Sequence, residues 1–103
     1  MALIELDPAE VSEKLARGEI TLVDVREAHE IAAERIAGAI AMPLSSFDPA
    51  ALPADATTLV FTCLGGKRSA MAVDRAQRAG LPVRTHMRGG LAGWKAAGLP
   101  TER

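Results

Sequence analysis

Apolar positions in this chain fall into short dense runs, separated by stretches with helical spacing. "ITLVDV" (residues 20–25) and "TLVFTC" (58–63) are compact, β-branched and almost wholly apolar, as expected of strands covered on both faces. "LIEL" (3–6), "AIAMPL" (39–44) and "PVRTHM" (82–87) read as three further strands, the second terminated by Pro43. Asp7-Pro8-Ala9-Glu10 has the chemistry of a helix start: an Asp cap, Pro at the first helical position and Glu three residues after the cap. Val11 and Leu15 share a face of that helix, and Gly18 can end it. A short helix is predicted over 27–38, closed by Gly38, and a last one over 89–98 that carries Trp94 as a core residue. The longest, over 66–80, has Ala72, Val73, Ala76 and Ala79 as its apolar stripe and turns Asp74, Arg75 and Arg78 to water. Residues 45–55 read as a turn or short helix punctuated by Pro49 and Pro53.

Strands alternating with helices predict a small α/β domain: a central parallel sheet of about five strands, with helices on both faces. At 103 residues, without repeat, low-complexity tract or linker, the chain reads as one domain over residues 1–103. In such sheets the binding crevice lies beyond the carboxyl ends of the strands. Cys63 ends one of the two most apolar strands, and Asp24-Val25-Arg26 ends the other.

Composition narrows the function. A net charge of -1 and a pI near 6.1 give no global attraction to nucleic acid or anionic lipid. With no Tyr, two Phe and one Trp, the chain lacks a platform on which bases could stack. Neither nucleic acid nor membrane is an expected partner. The start "MALIELDPAE" has neither the basic lead nor the apolar run of a secretory signal, and one cysteine permits no internal disulfide, so the cytoplasm is the expected compartment. Any attraction for an anion must be local.

The local candidate is "FTCLGGKRS" (61–69). A thiolate is the nucleophilic form of cysteine, and a helix N-terminus favours it through unpaired amides and the macrodipole. Lys67 and Arg68 add formal positive charge in the same first turn, where acidic residues would suit the helix better. That misplacement points to an anion at the loop. Gly65 and Gly66 let successive amides turn inward as an anion-binding nest, and Ser69 adds a hydroxyl. The amides of Leu64, Gly65, Gly66, Lys67, Arg68 and Ser69 are therefore the expected substrate cradle around Cys63. Arg68 either contacts the substrate or braces the loop by pairing with Asp24 or Glu27. Gly89 and Gly90 are expected to let their backbone approach the cysteine loop closely. His29 and His86 read as surface or partly buried residues, with a Cys63–His86 pair as the alternative; neither has metal-ligand spacing, and no metal or cofactor is implied.

These residues resemble the rhodanese-like sulfurtransferases in their single-domain form. "CLGGKRS" is similar to the family's Cys-x-x-Gly-x-Arg loop, with Cys63, Gly66 and Arg68 on the matching positions. "LVDVRE" (22–27) resembles the Asp-x-Arg element through Asp24 and Arg26, which the resemblance makes candidates for supporting the loop. "RIAGAIAMPL" (35–44) and "RGGLAGWKAAGLP" (88–100) resemble two further family segments, in the right order. Arg35 stands where the family usually has His, Ala41 where it often has Asn, and Ile31 where an aromatic is common. The resemblance implies transfer of a sulfane sulfur from a small anionic donor such as thiosulfate, through a persulfide on Cys63, to cyanide, a thiol or a protein thiol.

Two other readings compete. Phosphatases and arsenate reductases of related architecture also combine Cys and Arg around a backbone cradle, but with one more residue between them than Leu64, Gly65, Gly66 and Lys67 provide here. The shorter loop suits a sulfur atom better than a phosphoryl group. A binding module or persulfide carrier for a protein partner is the other, with Arg75, Arg78, Arg84 and Arg88 as basic residues that could meet an acidic partner.

Overall fold

Where the chain first turns from strand to helix, Asp7 accepts a hydrogen bond from the Glu10 amide at 2.9 Å and the Glu10 carboxylate accepts from the Asp7 amide at 3.4 Å. This capping box, with Pro8 behind it, starts the first helix where the sequence places it. The computed structural model describes residues 2–53 and 58–103. Its strands are β1 (Ile4–Leu6), β2 (Thr21–Asp24), β3 (Ile40–Ala41), β4 (Leu59–Thr62) and β5 (Thr85–Met87). Its α-helices are α1 (Pro8–Ala16), α2 (Ala28–Ala33), α3 (Lys67–Arg78) and α4 (Gly90–Ala96).

All strand pairs are parallel, in the order β1-β5-β4-β2-β3. The two most apolar strands are therefore neighbours at the centre, with Thr21 opposite Leu59 and Asp24 opposite Thr62. Because successive side chains alternate across a sheet, each central strand feeds two cores. Leu22 and Val60 pack with Val11, Met87, Leu91 and Trp94 of the α1 and α4 side. Val23 and Phe61 pack with Ala72, Val73 and Ala76 of α3 on the opposite face. This two-sided burial is why both strands read as continuous apolar runs, and it confirms an α/β sheet with helices on both faces. From β2 the chain moves out to β3, and from β4 it moves the other way to β5. The switch point lies between the ends of β2 and β4, and it opens beside Cys63.

Several elements are shorter than the sequence pattern suggests. The helix expected over 27–38 is confined to Ala28–Ala33, because Glu34 is extended and its carbonyl accepts from the Arg26 guanidinium at 2.8 Å. Arg35 then forms an antiparallel bridge with Glu102, so the segment is drawn out rather than coiled. The strand expected over 39–44 keeps ladder geometry only at Ile40–Ala41, and a 3-10 turn over Leu44–Ser46 follows Pro43. A second 3-10 turn covers Pro49–Ala51; the last two residues of the 45–55 stretch lie outside the described residues. The strand expected over 82–87 is paired only at Thr85–Met87. On α3, Ala79 is exposed and Ser69 is buried in the apolar stripe.

Asp24 and Arg26 are both buried, at 3% exposure each, and ion-paired at 2.8 Å. Arg26 donates through Nε and Nη2 to the carboxylate, and the Arg26 amide donates to Asp24 Oδ1 at 3.0 Å. Removing one member strands a buried charge. Asp24→Ala should therefore destabilise the protein by about 3–5 kcal/mol in urea unfolding.

Candidate active site

The site grows from the carboxyl end of β4. Beyond Thr62 the chain leaves the sheet, and the carbonyls of Cys63 and Leu64 accept hydrogen bonds from the amides of Leu91 and Ala92 at 2.7 and 3.0 Å. Those amides belong to the first turn of α4, which presses directly against the loop. Only glycine fits at the contact. A Cβ on Gly90 would lie 2.4 Å from the Cys63 carbonyl oxygen and 2.6 Å from the Leu64 carbonyl carbon, at a φ of +56°. The expected close approach at Gly89-Gly90 is thus a structural fact, with Gly90 as the residue that makes it. On the other side of the loop, Gly66 adopts φ +107° as the N-cap of α3 and turns its amide back on the sulfur.

Cys63 lies at the floor of this loop with 1% exposure. The Gly66 amide donates to Sγ at 3.0 Å, and the Ser69 hydroxyl lies 3.5 Å from Sγ. Burial alone would push the thiol up; the Ser69 hydroxyl and the amides of Ser69, Gly66 and Gly65 outweigh it, and the thiol titrates below its ordinary value. Of the expected cradle, the amides of Gly65, Gly66 and Ser69 act on the sulfur. Leu64 is 48% exposed beside it, and Lys67 is exposed at the start of α3.

Arg68 pairs with neither Asp24 nor Glu27. Its guanidinium donates in bidentate fashion to Glu30, at 2.6 and 3.0 Å. Hydrogen bonding to Arg68, against a smaller opposing effect of burial, lowers the Glu30 carboxyl from an ordinary 4.5 to about 2. Glu27 instead accepts from the Ser45 hydroxyl. Asp24 accepts from Arg26, and Arg26 also donates to the Glu34 carbonyl, so the pair braces the end of α2. The same helix α2 carries Glu30, the partner of Arg68.

Sequence reasoning missed Glu30 and Glu5 here, and it held His86 only as an alternative partner of Cys63, whereas the histidine reaches the sulfur through Ser69. Glu30 is the acidic member of a capping box at the start of α2, accepting from the Glu27 amide at 3.1 Å, and the Glu27-to-Glu30 spacing was its readable signal. His86 is buried at 3% exposure, its Nδ1 2.8 Å from the Ser69 hydroxyl. Glu5, opposite His86 in the β1–β5 register, places a carboxylate oxygen 2.9 Å from its Nε2. Strand alternation puts His86 on the Cys63 side of the sheet, but nothing local names its partners. His29 is exposed. Among the described residues no helix is long and apolar enough to cross a membrane, and no cluster of His, Cys, Asp or Glu could hold a metal ion.

Comparison with known proteins agrees with this geometry. A family model described as a rhodanese-like domain matches residues 7–97. The chain is 37% identical over 99 residues to an uncharacterized protein of Synechocystis, covering 95% of this chain and 55% of that protein, so it spans about half the length of that relative. It is 32% identical over 99 residues to a sulfurtransferase of Allochromatium vinosum, covering 93% of this chain and 92% of that one. The crystal structure of a thiosulfate sulfurtransferase from Pseudomonas aeruginosa superposes with a TM-score of 0.81 at 30% identity, over 97% of this chain and 19% of that one.

Two outcomes test how the loop is held. Gly90→Ala forces backbone apart at a left-handed position and should cost about 2–5 kcal/mol, read as a fall in thermal midpoint. The Glu30 carboxyl is lower in the folded than in the unfolded chain. Its pairing with Arg68 therefore stabilises fully above about pH 4.5, and the contribution fades as pH falls toward 2. Urea unfolding of Glu30→Gln should show a deficit against the parent that is constant near neutrality and shrinks through that acid window.

Proposed function

The chain belongs to the rhodanese-like domain family, and from that premise we propose that it moves a sulfane sulfur from a thiosulfate-like anion, through a persulfide on Cys63, to a thiophilic acceptor. The observation that supports this most directly is a thiol at the floor of a backbone loop, held below its ordinary pKa by a hydroxyl and inward-facing amides. The Cys63 thiolate attacks the outer sulfur of the donor. A new S–S bond forms, the donor's S–S bond breaks, and the bonding pair leaves with sulfite; total charge is unchanged. The amides that stabilise the thiolate then surround the sulfur next to it, where negative charge resides in the persulfide. Cyanide or a thiolate attacks that outer sulfur and Cys63 departs as thiolate, so the two half-reactions share one covalent intermediate. No cofactor enters either step.

Arg68 argues against phosphoryl transfer. Its guanidinium is engaged by Glu30 instead of being presented to an anion above Cys63, and the loop is short by one residue for three phosphoryl oxygens. Leu64, exposed beside the nucleophile, favours a second reading of the acceptor, in which the sulfur passes to the thiol of a docked protein.

The test is intact-protein mass spectrometry after mixing with thiosulfate. One added sulfur should appear, be removed by cyanide or a small thiol, and be absent in a folded Cys63→Ser variant. A chain that gains no sulfur, yet turns over an aryl phosphate in a Cys63-dependent manner, would replace this reading with a phosphatase.

A further inference from the structure

Four polar groups run in a line from the buried sulfur to the sheet edge. Cys63 Sγ is 3.5 Å from Ser69 Oγ, Ser69 Oγ is 2.8 Å from His86 Nδ1, and His86 Nε2 is 2.9 Å from the Glu5 carboxylate. Cys63, Ser69 and His86 are almost wholly buried, while the Glu5 side chain is 47% exposed. The hydrogen positions follow from what each group can do. An ionised carboxylate only accepts, so His86 holds a hydrogen on Nε2 and presents the lone pair of Nδ1 to Ser69. The Ser69 hydroxyl can also reach the Gly66 carbonyl, at 3.1 Å. That carbonyl also accepts from the Ala70 amide at 3.2 Å and has room for a second donor, but the His86 contact is the shorter one and we assign the hydroxyl hydrogen to it. Ser69 therefore donates to His86 and is open to accept from the Cys63 thiol.

We propose that Ser69, His86 and Glu5 form a proton relay that takes the Cys63 proton and stores it inside the protein. The S–H bond breaks with its electron pair left on sulfur, and the proton passes to Ser69 Oγ. The original Ser69 proton passes to His86 Nδ1. Thiol and imidazole become thiolate and imidazolium with no change in net charge and no exchange with solvent. Ser69 then donates to the thiolate, Nδ1–H donates to Ser69, and Nε2–H stays on Glu5. Ser69 touches the reacting atom; His86 and Glu5 act through it and are positioning residues.

The surroundings fit this assignment. The groups against His86 are Glu5 from β1, Ser69 of α3, and the backbone of Gly66, whose added Cβ would lie 3.8 Å from the ring; Cys63 stands one step further, beyond Ser69. Of the two cations in the first turn of α3, Arg68 is balanced by Glu30 and Lys67 is exposed. Arg84 and Arg88, which flank the His86 strand, are exposed. Glu5 is thus the counter-charge within bonding distance of the imidazolium.

The relay bears on the proposed sulfur transfer because it readies the same sulfur, but its test needs no sulfur donor. With one cysteine and no tyrosine, the ultraviolet absorbance of the thiolate can be titrated directly in the intact chain, with Cys63→Ser as the blank. His86→Gln keeps a hydrogen-bonding side chain that cannot hold the proton. It should move the titration up by about one pH unit, a tenfold loss of thiolate at any pH below both midpoints. Glu5→Gln, isosteric and at a half-exposed edge position, should move it in the same direction by about threefold in thiolate fraction. If either folded variant titrates with the parent, the relay is overturned. If His86→Gln does not fold, Glu5→Gln decides alone. A chain that shows these shifts but takes no sulfur from thiosulfate keeps the relay and loses the proposed donor.

Discussion

The site depends on where the backbone polarity of one loop points. A peptide carries a donor and an acceptor, and a loop that wraps a sulfur must send its carbonyls elsewhere if its amides are to face inward. Here the first turn of α4 supplies that outlet: the Leu91 and Ala92 amides take the Cys63 and Leu64 carbonyls at 2.7 and 3.0 Å. The contact is so close that no side chain fits at Gly90. With those acceptors held, the amides of Gly65, Gly66 and Ser69 are available to the sulfur, and a buried thiol that burial alone would keep neutral ionises more readily. The glycine pair after β5 thus shapes the chemistry at the end of β4, although more than twenty residues of chain separate them.

Charge follows the same local logic. The chain as a whole is nearly neutral, so it draws no anion from a distance. Two cations at the start of α3 would oppose the helix dipole if left alone. Arg68 is instead neutralised by Glu30 of α2, a strong pair that fixes the loop without advertising charge. Lys67, beside it, is exposed and has no such partner role in the loop's bracing. Behind Glu30 lies the buried Asp24–Arg26 pair, which fastens the end of β2 to the end of α2. Two helices therefore hold the loop from two sides, α4 through main chain and α2 through charge.

Much of this was legible in the sequence, and the physical reason is that the legible parts are local. The two central strands announced themselves as apolar runs because both of their faces are covered. Asp7 and Glu10 mark a helix start through bonds across three residues. The Cys63 loop was readable because its glycines, bases and helix start are contiguous. What failed was non-local. Nothing near Arg68 says that its partner lies thirty-eight positions earlier, so Asp24 and Glu27 were as reasonable as Glu30. The helix over 27–38 stops early because of Arg26 and of Glu102 at the far end of the chain. His86 and Glu5 meet only because β1 and β5 are neighbours, a pairing between the two ends of the chain.

Burial of the sulfur looks at first like an obstacle to a group carrier. Cys63 has 1% exposure, as deep as an inert core cysteine would be. In a persulfide, however, the atom that is handed on lies about 2 Å beyond the anchoring sulfur. In the proposed persulfide, a floor-level anchor would place the transferred atom higher in the loop, nearer the exposed Leu64 and Lys67. The anchor stays among Ser69 and the amides that stabilise it when it leaves. An exposed thiolate would meet oxidants and solvent as readily as its donor, whereas a recessed one reacts with what the loop admits. Depth also makes an internal proton store useful, because a buried thiol has little water to which it can lose its proton. Recession of the nucleophile and the line of groups behind it then serve one proposed scheme, in which the sulfur reacts forward through the loop and passes its proton backward toward the sheet.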